Sequence, residues 1–121
     1  MDKKVLGNFG EDMAARYLQR KGYRIVDRNF SCRLGEVDIV AQKSEYVVFV
    51  EVKLRKNADF AYAREFVTAS KQRRVISAAM LWMNRKCCEL QPRFDVIEVY
   101  APYGEKTFRP EINHIVDAFG S

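Results

Sequence analysis

Apolar and polar positions alternate most cleanly in two neighbouring runs, Gly35-Glu36-Val37-Asp38-Ile39-Val40 and Val48-Phe49-Val50-Glu51-Val52-Lys53. Alternation of this kind predicts two strands, and the short polar gap between them predicts a hairpin turning at Ser44-Glu45. In that register Asp38 lies across from Glu51 and Glu36 across from Lys53. Side chains alternate along a strand, so these four share one face and Val37, Ile39, Val48, Val50 and Val52 share the other. Val47 to Val50 is apolar on both faces, which predicts a central strand. Upstream, Asn8 followed by Glu11 predicts a helix start with a carboxylate at the third helical position. Phe9, Met13, Tyr17 and Leu18 then recur at helical spacing, and Gly22 ends the helix. Residues 24–30 predict another strand, and 55–66 lose the periodicity as a basic, partly aromatic loop. Thr68 or Ser70 caps a second helix with a buried stripe of Val75, Ile76, Ala79, Met80 and Met83. Pro92 separates that helix from a strand at about 93–100, and Pro102-Tyr103-Gly104 marks a turn. The remainder predicts a short edge strand and a C-terminal turn of helix. The order α-β-β-β-α-β describes an α/β fold, a single mixed sheet flanked by helices, in one domain spanning 1–121.

Composition narrows the class. The chain has 121 residues, 48% hydrophobic and 31% charged, in the ordinary range for one soluble globular domain. The longest apolar stretch, Ile76 to Met83, is interrupted by Ser77 and too short to span a bilayer. No apolar run follows Met1-Asp2-Lys3-Lys4, so a signal peptide is not expected, nor a membrane partner. Cys32, Cys87 and Cys88 are odd in number with two adjacent, which does not describe a disulfide framework. A lone His114 and the lack of a C-x-x-C argue against structural zinc. The expectation is reduced thiols in a cytoplasmic protein.

Net charge is +5, and the whole excess lies between Lys53 and Arg74, where seven basic residues meet two acidic ones. A basic patch of this kind is the footprint expected for a polyanion, although solvated basic surfaces are also common. It begins at the hairpin's own charges. Directly opposed carboxylates about 5 Å apart, at an effective dielectric near 20, repel by roughly 3 kcal/mol. A cation between Asp38 and Glu51 would remove that conflict. Two carboxylates are hard oxygen ligands suited to Mg²⁺ or Mn²⁺, and the backbone carbonyl of Val52 is a candidate third. Lys53, returning to the same face, can orient or deprotonate a water, or stabilise charge growing at phosphorus. The competing reading is an ion-pair ladder on an exposed sheet face. Glu36 is expected to pair with Lys53. Lys71, at the start of the second helix, opposes the helix dipole, a conflict that a bound phosphate would relieve. Phe60 and Tyr62 can stack on unpaired bases, though closing over the core is the commoner use of loop aromatics. Tyr17, Tyr23, Trp82 and His114 read as packing residues.

Together with Phe9-Gly10-Glu11, Lys71-Gln72-Arg73-Arg74 and Arg93-Phe94-Asp95-Val96, the hairpin segments resemble the YraN-like family of small bacterial proteins over nearly the whole chain. That resemblance implies a restriction-endonuclease-like fold within the PD-(D/E)xK nucleases, which include archaeal Holliday-junction resolvases. By similarity Asp38 matches the motif's first acid, Glu51 its second and Lys53 its lysine, while Val37 stands where the motif has proline. Glu11 either caps its own helix or, as in similar resolvases, projects to the cleft as a further metal ligand. The implied function is metal-dependent hydrolysis of DNA phosphodiester bonds. Arg55, Lys56, Arg64, Lys71, Arg73 and Arg74 would hold flanking phosphates. Phosphate contacts carry no sequence information, so recognition of branches, flaps or ends is expected. A non-catalytic nucleic-acid-binding or adaptor module on the same fold is the alternative. A homodimer stays open, since resolvases of this fold are dimers, but no apolar stripe in the sequence compels one.

Overall fold

The computed structural model describes residues 3–56 and 68–120, with 3–7 as helix backbone only. Helix α1 (Lys3–Arg20) precedes strands β1 (Arg24–Cys32), β2 (Gly35–Lys43) and β3 (Tyr46–Arg55). Helix α2 (Ala69–Arg85), β4 (Gln91–Tyr100), a 3-10 turn (Gly104–Lys106) and β5 (Glu111–Phe119) follow. The sheet order is β1-β2-β3-β4-β5, with β3 and β4 parallel and the other neighbours antiparallel. The mixed sheet flanked by helices is as the pattern predicts, and β3 is its central strand.

Each helix covers one face. Ala14 and Leu18 of α1 pack on Ile39, Val48, Val50, Ile97 and Val99. Val75, Ala78, Ala79 and Trp82 of α2 pack on Val40, Val47, Phe49 and Phe94. Phe49 lies between Trp82 and Phe94, at ring-centroid distances of 5.8 and 5.6 Å. Complete burial of such a ring stabilises by about 1.5–3 kcal/mol.

Several expected boundaries move. α1 starts at Lys3, so Asn8 and Glu11 lie inside the helix and Glu11 does not cap its N-terminus. Asparagine costs only a few tenths of a kcal/mol (about 0.5) in a helix interior, too little to stop the helix there. The C-terminal end is as predicted: Gly22 takes φ +91°, and the N–H groups of Gly22 and Tyr23 donate to the carbonyls of Gln19 and Leu18. In α2, Thr68 is the cap, its hydroxyl accepting the Lys71 N–H at 3.1 Å. The buried stripe is rotated from the predicted one, leaving Met80 42% exposed. Trp82 takes the central seat, because its ring meets Phe49 edge-on and its Nε1 donates to Asp27 Oδ2 at 2.9 Å. β4 starts one residue before Pro92. The C-terminal turn of helix is replaced by nine residues of strand, held by pairing to β4 and by Phe119 stacked on Phe94. No helix among the described residues is long and apolar enough to cross a membrane.

Candidate active site

The hairpin closes at Ser44-Glu45, with pairs running from Lys43↔Tyr46 to Ile39↔Val50 in the predicted register. There the ladder ends, so the expected pairs Asp38–Glu51 and Glu36–Lys53 do not form as strand partners. Asp38 Oδ2 instead accepts the backbone N–H of Val52 at 2.8 Å, a side-chain oxygen satisfying a strand donor. On the other side, Asn29 lies between the pairs Arg28↔Ile39 and Phe30↔Val37 and takes φ +54°. Left-handed backbone interrupts the alternation of faces. Val37 accordingly packs with Val40, Val47 and Phe49 beneath α2, not with Ile39 as predicted. The alternation of faces along β2 thus slips at Asp38.

Both helices are brought to this seam by glycines. Gly10 of α1 is buried against Val52 and Leu54. Gly35 sits under α2, where an added Cβ would lie 2.5 Å from the Arg74 carbonyl oxygen, so a larger residue would push the helix away. The result is a cavity of about 260 Å³ that Asp38, Glu51, Val52 and Lys53 line together with Glu11 and Lys71.

Electrostatics in the cavity are unbalanced. Glu51 is 4% exposed, and its Oε1 receives Lys71 Nζ at 2.8 Å and Lys53 Nζ at 3.4 Å. Its Oε2 is buried with no hydrogen-bond partner among the described residues; Oε1 of Glu11 is also buried without a hydrogen bond, but Arg28 Nη2 lies 3.6 Å from it. Burial, and then the charge of Glu51, push the Asp38 carboxyl up to about 7 despite the Val52 N–H. Burial likewise raises Glu11, against hydrogen bonding from Asn29 and the charge of Arg28, 3.6 Å away. Burial lowers Lys53, opposed by Glu51. Lys71 is raised, chiefly by its hydrogen bond to Glu51.

Residues 10–99, which hold all of these groups, match the model of the family described as Uncharacterised protein family UPF0102. The chain belongs to this family. It is 48% identical over 117 residues to a UPF0102 protein of Geobacter sulfurreducens, covering 96% of this chain and 89% of that one. It is 41% identical over 120 residues to one from Caldanaerobacter subterraneus, covering 98% of each, and 43% identical over 120 residues to one from Caldicellulosiruptor saccharolyticus, covering 98% and 100%.

In this UPF0102 domain the predicted site residues divide. Asp38, Glu51, Val52, Lys53 and Glu11 share one cavity. Glu36 is exposed on its rim, and Lys53 pairs with Glu51 on its own strand in place of the expected Glu36. Lys71, expected to face phosphate, reaches inward to Glu51. Arg73, Arg74 and Lys56 are exposed. Arg55 is half-buried, its Nε 3.9 Å from Glu98 Oε2. Arg64, Phe60 and Tyr62 lie outside the described residues. Sequence reading missed Asn29 and the reach of Lys71. Asparagine's tolerance of left-handed backbone is the one signal that pointed to the first.

Residues read as simple packing form a second polar cluster. Asp95, fully buried, accepts two hydrogen bonds from Arg93, at 3.0 and 2.8 Å, and the Asp117 N–H at 3.0 Å. His114 Nε2 lies 2.7 Å from Asp95 Oδ2, and Tyr17 Oη 3.1 Å from His114 Nδ1. A carboxylate only accepts, so Nε2 carries the proton; in the neutral ring Nδ1 then accepts from the Tyr17 hydroxyl. Burial pushes Asp95 up, but hydrogen bonds from His114, Arg93 and Asp117 outweigh it and hold the carboxyl below its ordinary value.

Proposed function

We propose that this chain is a divalent-metal-dependent nuclease of the PD-(D/E)xK type that hydrolyses DNA phosphodiester bonds, with a preference for branched, flapped or end-containing DNA. The observation that carries the reading is the seam itself. Two carboxylates and a lysine meet where β2 and β3 stop pairing, and the buried Oε2 of Glu51 lacks a hydrogen-bond partner among the described residues. Leaving a buried carboxylate oxygen unsatisfied is costly, and a hard cation is the partner that suits it.

Asp38 and Glu51 would hold Mg²⁺ or Mn²⁺, with the Val52 carbonyl and Glu11 as further oxygen donors. Among the described residues no three Asp, Glu, His or Cys side chains form a ready metal cage. Mg²⁺ requires none, because it keeps several waters and binds through one or two carboxylates plus substrate phosphate. When bound, the ion would polarise the phosphate and acidify a water. The Val52 N–H fixes the Asp38 carboxylate in the seam. Lys53, carried two residues beyond Glu51, would orient the attacking water or offset charge at phosphorus. Exposed Lys56, Arg73 and Arg74 would grip flanking phosphates, giving affinity that falls steeply with salt.

One observation favours a second reading, a nucleic-acid-binding module without catalysis: the Lys71 ammonium already neutralises Glu51. Incubation with Mn²⁺ and duplex, single-stranded, flapped and four-way DNA separates the two. The nuclease reading expects cleavage of at least one structured substrate, lost by about 100-fold or more in both Asp38→Ala and Lys53→Ala. Cleavage unchanged by both substitutions rejects the assignment, and binding without cleavage selects the second reading.

A further inference from the structure

Among the described residues, the two most exposed large hydrophobic side chains are Phe108 at 83% and Tyr103 at 76%. Both belong to the β4–β5 connection, which carries Tyr103, Lys106, Phe108 and Arg109 within seven residues. Single exposed apolar residues need no explanation. These two, however, border one hollow of about 480 Å³, together with the cations Lys56, Lys106 and Arg109 and the acid Glu111. Among the described residues its lining holds no Leu, Ile, Val or Met, so these residues offer little for a protein's aliphatic anchor. Ring faces and cations in one hollow suit a ligand that alternates flat bases with phosphates.

The rings are held on an ordered turn. The Tyr103 N–H donates to Thr107 Oγ1 at 2.9 Å, and Gly104 and Thr107 close the turn with backbone bonds to Ala101 and Gly104. The Arg109 guanidinium lies 5.2 Å from the Phe108 ring centroid. Lys56 stands three residues past Lys53, an advance of roughly 10 Å at about 3.3 Å per residue. α1, whose Glu11 lines the carboxylate cavity, also packs against the 3-10 turn. The hollow and the cavity therefore lie at the same end of the sheet.

We infer that this hollow is a base-stacking subsite for a single-stranded stretch of nucleic acid, with Tyr103 and Phe108 receiving bases and Lys56, Lys106 and Arg109 their phosphates. It rests on the proposed nuclease reading for the choice of nucleic acid as occupant. A strand leaving the carboxylate cavity unpaired would reach it, which is what a flap or frayed end provides.

The test is fluorescence anisotropy in EDTA with three labelled probes of similar length: oligothymidylate, an abasic sugar-phosphate oligomer and polyglutamate. Stacking is worth about 1–3 kcal/mol per base, so the native protein should prefer oligothymidylate to the abasic oligomer by about fivefold or more. Tyr103→Ala with Phe108→Ala should erase the preference and leave abasic binding unchanged. Tyr103→Leu with Phe108→Leu, which keeps apolar bulk but no ring, should do the same. Equal binding of both oligomers by the native protein overturns the inference, as does a preference that survives either pair. Tighter binding of polyglutamate than of oligothymidylate also overturns it, in favour of an acidic protein partner. No metal enters this measurement. Base preference without Mn²⁺-dependent cleavage would leave the subsite standing and remove the nuclease, and cleavage without base preference would do the reverse.

Discussion

Asp95 and Asp38 are two carboxylates of the same sheet, and the protein treats them in opposite ways. Asp95 is fully buried yet held below its ordinary pKa, because Arg93, His114 and the Asp117 N–H supply more hydrogen bonding than burial removes. Asp38 has one backbone donor at 2.8 Å and a carboxylate neighbour, and its pKa is pushed up to about 7. Burial alone therefore does not mark a site. A surplus of donors makes a structural anchor, whereas a deficit leaves a place for something else to bind.

The largest effect expected from this contrast is at the anchor. Asp95→Ala leaves Arg93 and His114 without their acceptor, and breaking such a buried pair costs about 3–5 kcal/mol. Urea unfolding would measure it. A loss under about 1 kcal/mol would mean that the cluster is not an anchor, and the comparison would fail on that side.

Asp38→Asn should act in the other direction. The unfolded carboxyl titrates near 3.9 and the folded one at about 7, so between those values the folded protein binds more protons. Metal-free stability therefore falls as pH rises across that window. Asparagine still offers an oxygen to Val52 and carries no charge. The variant should match the native protein below about pH 4 and exceed it by about 1–3 kcal/mol above about pH 7. Paired melts across pH in EDTA would show whether the gap opens in that window; a gap already present at pH 3 contradicts the charge argument.

The Asp38 side of this contrast was partly legible in the chain, the Asp95 side was not, and the illegible parts have physical causes. The hairpin register could be read because turn length and alternation fix it, and that set Asp38, Glu51 and Lys53 at one place. The slip in alternation at Asp38 could not, since it lies where the β2–β3 pairing ends and beside Asn29, at φ +54° in a neighbouring strand. The place of Lys71 in the helix, which is local information, predicts that it faces outward. Its reach to Glu51 depends on how closely α2 settles over Gly35, a packing fact. The pattern shows His114 only as a packing residue, because its partner Asp95 lies 19 residues away, across a pairing with β5 whose extent the pattern understates.

Lys71→Ala gives the smallest effect and sharpens the site side. Its ammonium is partly exposed, so losing its pair with Glu51 should cost about 0.5–1 kcal/mol without metal. Mn²⁺ should shrink that cost if the ion takes over the Lys71 role, and leave it unchanged if Glu51 is not a ligand.

The central claim is that Asp38 and Glu51 together take up a divalent cation. The most direct measurement is the melting temperature of the native protein and of Asp38→Asn, with EDTA and with millimolar Mn²⁺. Free ion at about a hundred times its dissociation constant stabilises by about 2.7 kcal/mol, a rise of several degrees for a domain of this size. The account predicts that rise in the native protein and its loss in Asp38→Asn. No rise at all, or the same rise in both proteins, would contradict it.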